Sequence, residues 1–336
     1  MLTLIVPGLI WTRQALADLT YDLPLPVFTT LLGRGRLRQC PPRDTAATLA
    51  ESFGLAAPLP AAALRRLALR EHPGAADWLC LDPVRLRFEQ RSVIVDDPQG
   101  LALTDEEAAM LAVSLAPTFA GLGQLEVISP HCWNLRLAAS APAFQGLPEA
   151  VGRSASPLPL DAAYAAWRHA ISEAQMLLHA HPVNQAREAA GQPLVNSLWP
   201  WGGGRLPVSG NRVAPHPHDM LWSADPVALG IARLLQIDFA VLPDRFTRAD
   251  ARAPLALFDA LESPARVGDA MNWRDELARF EADWLAPALD ALRRGQLDAL
   301  RLLAPGDLGA VELHVSRRDL WKFWRKPRAL SELAPP

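Results

Sequence analysis

The sequence predicts an α/β core domain, a sheet flanked by helices, that is interrupted by a smaller inserted α+β domain. Strand and helix patterns alternate at both ends of the chain, with a strand-rich section between them. The 336 residues also exceed the size at which one hydrophobic core usually stops growing. We therefore place the core in residues 1–72 and 193–328, the insertion in residues 73–192, and a tail in residues 329–336.

The first strand and helix of the core stand at the N-terminus. Leu2–Val6 is a short apolar run closed by Pro7 and Gly8, which predicts a buried parallel strand leading into a turn. Pro26–Gly35 predicts a helix, because its apolar residues recur on one side and a glycine follows them. Farther along, the core is predicted to contain helices at Ala224–Leu235 and Trp273–Leu292 and strands at Phe239–Leu242 and Val311–Val315.

The insertion has a different pattern. Thr104 and Glu107 form a capping box that begins a helix reaching about Leu115. Apolar residues at alternating spacings of three and four predict an amphipathic helix over Tyr164–Leu178. Short β-rich runs predict strands at Trp78–Leu81, Leu86–Phe88, Ser92–Val95, Leu125–Ile128 and Trp133–Leu137.

Composition argues against several classes of partner. A net charge of −3 with 21% charged residues gives no overall field for nucleic acid or an anionic membrane. Three cysteines, an odd number without metal-ligand spacing, indicate a reducing compartment. The apolar run Met1–Ile10 is too short for a membrane span. We expect a cytoplasmic protein without a membrane or nucleic-acid partner.

The segment His181–Gly204 is the strongest candidate site, because it holds more polar, charged and tryptophan side chains than a segment that only fills a hydrophobic core. Cationic donors, amides and exposed glycine N–H groups suit a small phosphorylated or carboxylate ligand. The alternative is a domain junction, in which the tryptophans pack and the glycines allow close backbone approach. The candidate ligand-binding residues are His181, Asn184, Arg187, Asn196, Trp199, Trp201, Gly202 and Gly204.

Several segments, in order, resemble the archaeal-type cofactor-independent phosphoglycerate mutases of the alkaline phosphatase superfamily. Asn196–Gly204, preceded by His181–Asn184, matches the family's His-Pro-x-Asn … Asn-x-Ile-Trp-x-Trp-Gly-x-Gly. Leu25–Gly35 and Ser223–Ile231 are similar to two of its helices, and the Thr104 helix stands where those enzymes have Ser-x-Glu-Glu-Ala. The resemblance implies an alkaline-phosphatase-like core sheet with an inserted smaller domain.

The same resemblance implies that a metal site has been lost. Those enzymes hold two divalent metals, which neutralise charge on the attacking and leaving oxygens. The family's first aspartate after the opening strand is Pro7 here, its Asp-x-x-x-His pair falls on Ala265 and Asp269, and its Asp-His pair falls on Gly306 and Asp307. Proline, alanine and glycine have no side chain that can bind a metal.

The remnant metal set implied by position is Asp269, Asp307 and His314, which would hold at most one metal. Thr45 lies near the position of the family's nucleophile. We expect no cofactor; Mn or Zn is the alternative if the chain has rebuilt its site, with Asp225 as a further ligand.

The chain's ending resembles that of the bacterial RpfE-type regulatory proteins, in which Asp-Leu-Trp-x-Phe-Trp-Arg matches Asp319–Arg325. We therefore predict a non-catalytic regulatory or ligand-binding protein with an unknown protein partner. The alternative is an active metal-dependent phosphoglycerate mutase or phosphotransferase.

Two further motifs have alternative interpretations. His216–Asp219 contains metal-ligating residue types, but a solvated loop is the preferred interpretation. Arg317–Arg328 holds six basic residues interleaved with aromatics, a pattern that suits nucleic acid or an anionic surface. We expect instead that these aromatics pack on the core and that the cations reach solvent.

Overall fold

The computed structural model describes residues 1–89, 92–155, 158–206, 216–247 and 252–334. The chain divides into two compact units: unit 1 is Met1–Ala57 with Val213–Pro336, and unit 2 is Pro58–Arg212. The sequence placed the two junctions after residue 72 and before residue 193.

The strands in chain order are β1 (Leu2–Ile5), β2 (Arg36–Cys40), β3 (Trp78–Val84), β4 (Leu86–Glu89), β5 (Ser92–Val95), β6 (Gly123–Ser129), β7 (Cys132–Leu137), β8 (Ser154–Ala155), β9 (Ser197–Gly204), β10 (Met220–Trp222), β11 (Asp238–Ala240), β12 (Pro254–Leu257), β13 (Ala299–Ala304) and β14 (Ala310–Ser316). The α-helices are α1 (Arg13–Thr20), α2 (Pro26–Arg34), α3 (Thr45–Ser52), α4 (Ala61–Ala68), α5 (Asp105–Phe119), α6 (Leu147–Ala150), α7 (Ala165–His179), α8 (Pro182–Ala189), α9 (Pro226–Leu235), α10 (Glu262–Val267), α11 (Ala270–Arg279) and α12 (Ala286–Arg293). No helix among the described residues is both long and apolar enough to cross a membrane.

Unit 1 is built on a seven-stranded sheet in the order β11–β10–β12–β1–β13–β14–β2. The five strands from β11 to β13 are parallel, and the last two pairings are antiparallel. All four residues of β1 are buried, as expected for an apolar strand in the middle of a sheet covered on both faces. This arrangement confirms the predicted α/β class.

The long helix predicted over Trp273–Leu292 is present, with one departure from regular geometry. α11 and α12 are joined by the π-helical segment Phe280–Leu285. Within it, the buried Glu281 carboxylate accepts hydrogen bonds from the amides of Val27 (2.6 Å) and Phe28 (3.0 Å) at the start of α2. A carboxylate there satisfies amides that have no partner within their own helix, so Glu281 fixes where α2 begins.

The C-terminal residues divide into buried and exposed groups. Leu330 and Leu333, in the stretch set apart as a tail, are buried in the core of unit 1. Trp321, Phe323 and Trp324 are instead 74%, 75% and 69% exposed. The prediction that these aromatics pack on the core was therefore wrong. Leu330 and Leu333, which follow them in the chain, pack there instead.

His218 is buried, so the solvated-loop interpretation of His216–Asp219 was wrong at this residue. It is 3% exposed, its Nδ1 lies 3.2 Å from the carbonyl of Ala253, and its ring packs edge-on against Phe53. Burial disfavours the charged imidazolium and lowers the pKa of His218 to about 4.

The buried imidazole predicts acid sensitivity. The pKa of His218 is about 4 in the folded protein and 6.5 in the unfolded chain, so the unfolded chain binds a proton first as the pH falls. The contribution of the neutral imidazole to stability is therefore fully present above pH 6.5 and is lost as the pH falls towards 4. The loss amounts to about 3 kcal/mol. Urea unfolding at pH 7.5 and pH 4.5 should show His218→Gln losing less stability on acidification than the wild type, whereas the exposed His169→Gln should match the wild type. Equal losses in both variants would contradict this assignment.

Unit 2 contains a four-stranded antiparallel sheet in the order β6–β7–β3–β9 and a three-stranded sheet in the order β4–β5–β8. Side chains alternate across β3. Leu79 and Leu81 face the apolar core formed with α5 and α7. Asp82 belongs to the opposite face, where it meets Arg65 of α4. α5 begins at the predicted capping box of Thr104 and Glu107.

Candidate functional site

The second half of the candidate segment is an edge strand of unit 2. Ser197–Gly204 forms β9, which pairs antiparallel with β3 and has no partner strand on its other side in the described sheet. Proline and glycine are depleted from strands, which obscured this strand in the sequence. An edge tolerates Pro200, because its missing N–H costs no ladder hydrogen bond on the outer side.

His181 caps the helix that begins the segment. Its Nδ1 accepts a hydrogen bond from the amide of Val183 (3.2 Å), and its Nε2 lies 2.9 Å from the hydroxyl of Ser114. An accepting Nδ1 requires the neutral ring, and burial accordingly lowers the pKa of His181. His181 therefore acts as a neutral N-cap of α8.

Arg187 is enclosed within unit 2. It is 2% exposed, and its Nη1 donates to both carboxylate oxygens of Glu107 at 2.9 Å. Its Nε donates to the carbonyl of Pro193 (2.8 Å), and its Nη2 donates to the carbonyl of Leu101. Burial would raise the pKa of Glu107, but hydrogen bonds from Thr104 and Arg187 outweigh it, and the pKa is lowered. The guanidinium is thus committed to protein acceptors.

The side chains of Asn184 and Asn196 form hydrogen bonds with backbone amides and carbonyls near the start of β9. The Asn184 amide donates to the carbonyls of Leu178 and Val195, both at 2.7 Å, and its oxygen accepts from the Val195 amide. Asn196 accepts from the Leu86 amide (2.7 Å) and donates to the Leu86 carbonyl (2.8 Å), as a strand neighbour would. Both side chains hold the chain entering β9 in place.

The tryptophans are bonded through their indole nitrogens. Trp199 donates to the carbonyl of Gln145 at 3.0 Å. Trp201 donates to the carboxylate of Asp82 at 2.8 Å, and Asp82 also accepts from Arg65 at 2.6 Å. Arg65 and Asp82 were not predicted; the one signal in the sequence was a carboxylate within the apolar run of β3.

Two glycines of the motif permit close contact with α4. Gly202 has a φ of +60°, and a Cβ at this position would lie 2.6 Å from the Cβ of Ala61. Gly204 has a φ of +135°, with Pro60 at 3.2 Å from a Cβ at that position. These glycines are therefore explained by backbone geometry and packing.

Gly202→Ala should lower the free energy of unfolding by about 2–3 kcal/mol, because the left-handed backbone and the clash with Ala61 both oppose a side chain. Gly191→Ala is the matched control: its φ is +68°, but nothing lies within 4 Å of a Cβ there. The control should cost about 1 kcal/mol. Chemical denaturation measures both, and equal losses would show that the close approach to Ala61 contributes nothing.

A cavity of about 290 Å³ lies beside the motif within unit 2. Asn184 and Asn196 contribute to its wall, together with residues of α7, α8 and β4. Its lining combines apolar side chains with amides, one imidazole and one carboxylate: Leu86, Phe88, Gln175, Leu178, His179, Asn184, Gln185, Glu188, Leu194 and Asn196. Its volume is at the small end of the range of ligand pockets, and Arg187 does not line it.

In unit 1, the carboxyl ends of the parallel strands are where an α/β sheet usually binds ligands. Pro7 follows β1, Asp259 follows β12, and Asp307 follows β13. The side chain of Asp259 is partly exposed, yet surrounding protein displaces water from it and raises its pKa. Asp225, after β10, caps α9 by accepting from the Ala228 amide at 2.8 Å.

Thr45 begins α3, and its hydroxyl lies 3.4 Å from a carboxylate oxygen of Glu262, the first residue of α10. Glu262 also forms an ion pair with Arg266. Just before α3, Arg43 exchanges backbone hydrogen bonds with Gly306 after β13, at 3.2 and 2.9 Å. The structure thus brings the Thr45 hydroxyl, the Glu262 carboxylate and the Arg266 guanidinium together in unit 1. Glu262 and Arg266 were not predicted from the sequence.

The remnant metal residues are not brought together. Asp269 is an exposed N-cap of α11 and accepts from the Asn272 amide. Asp307 lies in the turn between β13 and β14. The strand pair next to this turn is Ala304–Val311, and His314, paired with Arg301, is three positions farther along the strands. That spacing is about 10 Å of strand. Among the described residues, no group of three or more His, Cys, Asp and Glu side chains could hold a metal ion.

Comparison with known proteins gives a match at the level of structure. No model of a known protein family matches the sequence, and no curated protein matches it. The cofactor-independent phosphoglycerate mutase from Thermoplasma acidophilum DSM 1728 superposes with a TM-score of 0.51 at 17% identity, covering 99% of this chain and 94% of that chain. The PH0037 protein from Pyrococcus horikoshii superposes with a TM-score of 0.58 at 14% identity, covering 98% and 91%. The chain therefore has a phosphoglycerate mutase-like α/β fold.

Proposed function

We propose that this chain is a non-catalytic ligand-binding or regulatory protein on a phosphoglycerate mutase-like scaffold. The observation that carries the proposal is the composition of the carboxyl edge of the unit 1 sheet. Two-metal phosphoryl transfer needs several ligands around ions about 4 Å apart. At this edge Pro7 follows the central strand, and the carboxylate of Asp225 is used to cap a helix.

The ligand is proposed to occupy the cavity of unit 2. Its two glutamine amides, its imidazole and its leucines suit a small polar molecule with an apolar part, whereas Asn184 and Asn196 are already paired with the backbone. A phosphate or carboxylate ligand has less support than the sequence suggested, because Arg187 is paired with Glu107. The regulatory role follows the resemblance of Asp319–Arg325 to the ending of the RpfE-type proteins, and it implies a protein partner.

A second candidate function is an active phosphotransferase, for which Thr45 is the supporting observation. Its hydroxyl lies beside Glu262, a carboxylate able to accept its proton. A rebuilt site of this kind would need Mn²⁺ or Zn²⁺ to neutralise the charge of the transferred group. Asp259 and Asp307 are the candidate ligands, because they follow β12 and β13, the two strands that flank β1.

Turnover by the purified full chain separates the two candidates. 3-Phosphoglycerate and p-nitrophenyl phosphate would be assayed with added Mn²⁺ or Zn²⁺, for the wild type and for Thr45→Ala and His314→Ala. Thr29→Ala, which removes a hydroxyl from α2, is the control. We expect no turnover above the protein-free rate from folded protein. Turnover that Thr45→Ala abolishes and Thr29→Ala retains would overturn the proposal.

A further inference from the structure

The segment Arg317–Arg328, called here the aromatic-basic segment, presents three large aromatic side chains to solvent. Trp321, Phe323 and Trp324 are among the most exposed large apolar side chains of the described chain. Isolated exposed apolar residues are ordinary, but three within four positions form a patch of the kind that marks an interaction site.

The segment is fixed to unit 1 at both ends, so this exposure is not the fraying of a terminus. At its start, the amide and hydroxyl of Ser316 donate to Asp319 at 2.9 and 2.6 Å, and Arg34 donates to the carbonyl of Leu320 at 3.0 Å. At its end, the amide of Arg328 donates to the carbonyl of Thr29 at 3.0 Å. The fold therefore holds the aromatics outward.

The segment also carries positive charge that the protein does not neutralise. Lys322 pairs with Asp319, and Arg328 pairs with Glu332. The other four cations of the segment form no ion pair with a carboxylate in the described parts of the chain: Arg317, Arg318, Arg325 and Lys326. All four are exposed, on a chain whose net charge is −3.

We propose that the aromatic-basic segment docks on an anionic phospholipid surface. Tryptophan rings are favoured at the level of lipid headgroups, and each nearby Lys or Arg adds attraction to anionic lipid. These three aromatic side chains are largely exposed, so a partner must cover each of them on several sides. Fluid lipid can do this because it adapts to their shape and needs no preformed pocket.

The geometry favours lipid over single-stranded nucleic acid. The rings of Phe323 and Trp324 meet edge to face at an interplanar angle of 80°, with centroids 5.4 Å apart. Successive bases stack on aromatic faces that follow the strand, and two faces at right angles cannot both serve one stack. The same edge-to-face pair makes a compact apolar wedge suited to insertion between headgroups.

Co-sedimentation of the full chain with vesicles tests the proposal. The vesicles contain phosphatidylcholine alone or mixed with phosphatidylglycerol, at low and high salt. The variants are Trp321→Ala/Phe323→Ala/Trp324→Ala and Arg325→Glu/Lys326→Glu. The matched controls are Tyr21→Ala, another exposed aromatic of unit 1, and Arg13→Glu/Arg279→Glu, which makes the same charge change at exposed arginines of α1 and α11. Thermal unfolding checks that each variant is folded.

We expect salt-sensitive binding to the anionic vesicles, with each segment variant weakening it by at least about tenfold and the controls leaving it unchanged. The proposal is overturned if the wild type does not sediment with anionic vesicles, or if both charge-reversal pairs weaken binding equally. It is also overturned if the chain ignores vesicles but binds a single-stranded oligonucleotide in a salt-sensitive manner.

Discussion

Replacing Asp82 by alanine should lower the free energy of unfolding by about 3–5 kcal/mol, because it strands a buried cation. Asp82 is 2% exposed and accepts hydrogen bonds from Arg65 (2.6 Å), from the Trp201 indole (2.8 Å) and from the Trp133 amide (3.0 Å). These donors come from α4, β9 and β7, so one carboxylate joins three elements of unit 2.

Urea unfolding of Asp82→Ala measures this loss, with Glu71→Ala as the matched control. Glu71 also faces an arginine of α4, at 3.7 Å from Arg66, but it is largely exposed. The control should cost less than about 1 kcal/mol. Arg65→Met/Asp82→Leu, which removes both charges, should recover part of the loss. A small effect of Asp82→Ala would mean that Arg65 finds another partner.

Replacing Arg187 by methionine should cost about 3 kcal/mol, because it leaves a carboxylate and two inward carbonyls without their donor. The acceptors are Glu107, Leu101 and Pro193. Methionine keeps much of the length and packing of arginine, so the loss reports chiefly on the polar contacts. Thermal unfolding should show a lower midpoint for this variant.

The controls for Arg187 separate a structural role from a ligand-binding role. Arg187→Lys keeps the charge but not the fork that spans three acceptors, so it should remain substantially destabilised. Arg136→Met, at an exposed arginine of β7, should leave the midpoint unchanged. A stable Arg187→Met protein would contradict the structural role and restore the anion-binding interpretation of the motif.

The parts of the fold that were predicted correctly have local signals. Pro26–Gly35 carries its own start and stop residues, and the Thr104 capping box is present as expected. β9 was missed because Pro200 and three glycines are unusual in strands. Its position at a sheet edge tolerates Pro200, and the close approach of α4 accounts for Gly202 and Gly204.

The candidate segment was correctly singled out as unusual, but the partners of its residues are distant in sequence. Arg187 meets Glu107 across 80 positions, and Trp201 meets Asp82 across 119. Spacing within a motif carries no information on such contacts. The sequence therefore located the motif, whereas its hydrogen bonds required the fold.

Equilibrium binding of Mn²⁺ to the metal-stripped full chain tests the central claim most directly. The claim is that the described residues of this phosphoglycerate mutase-like scaffold do not form the clustered ligands of a two-metal centre, as the separation of Asp307 from His314 indicates. The account predicts no saturable binding of paired Mn²⁺ ions by titration calorimetry or electron paramagnetic resonance, with Asp307→Asn identical to the wild type. Two spin-coupled Mn²⁺ ions per chain, lost on that substitution, would contradict it.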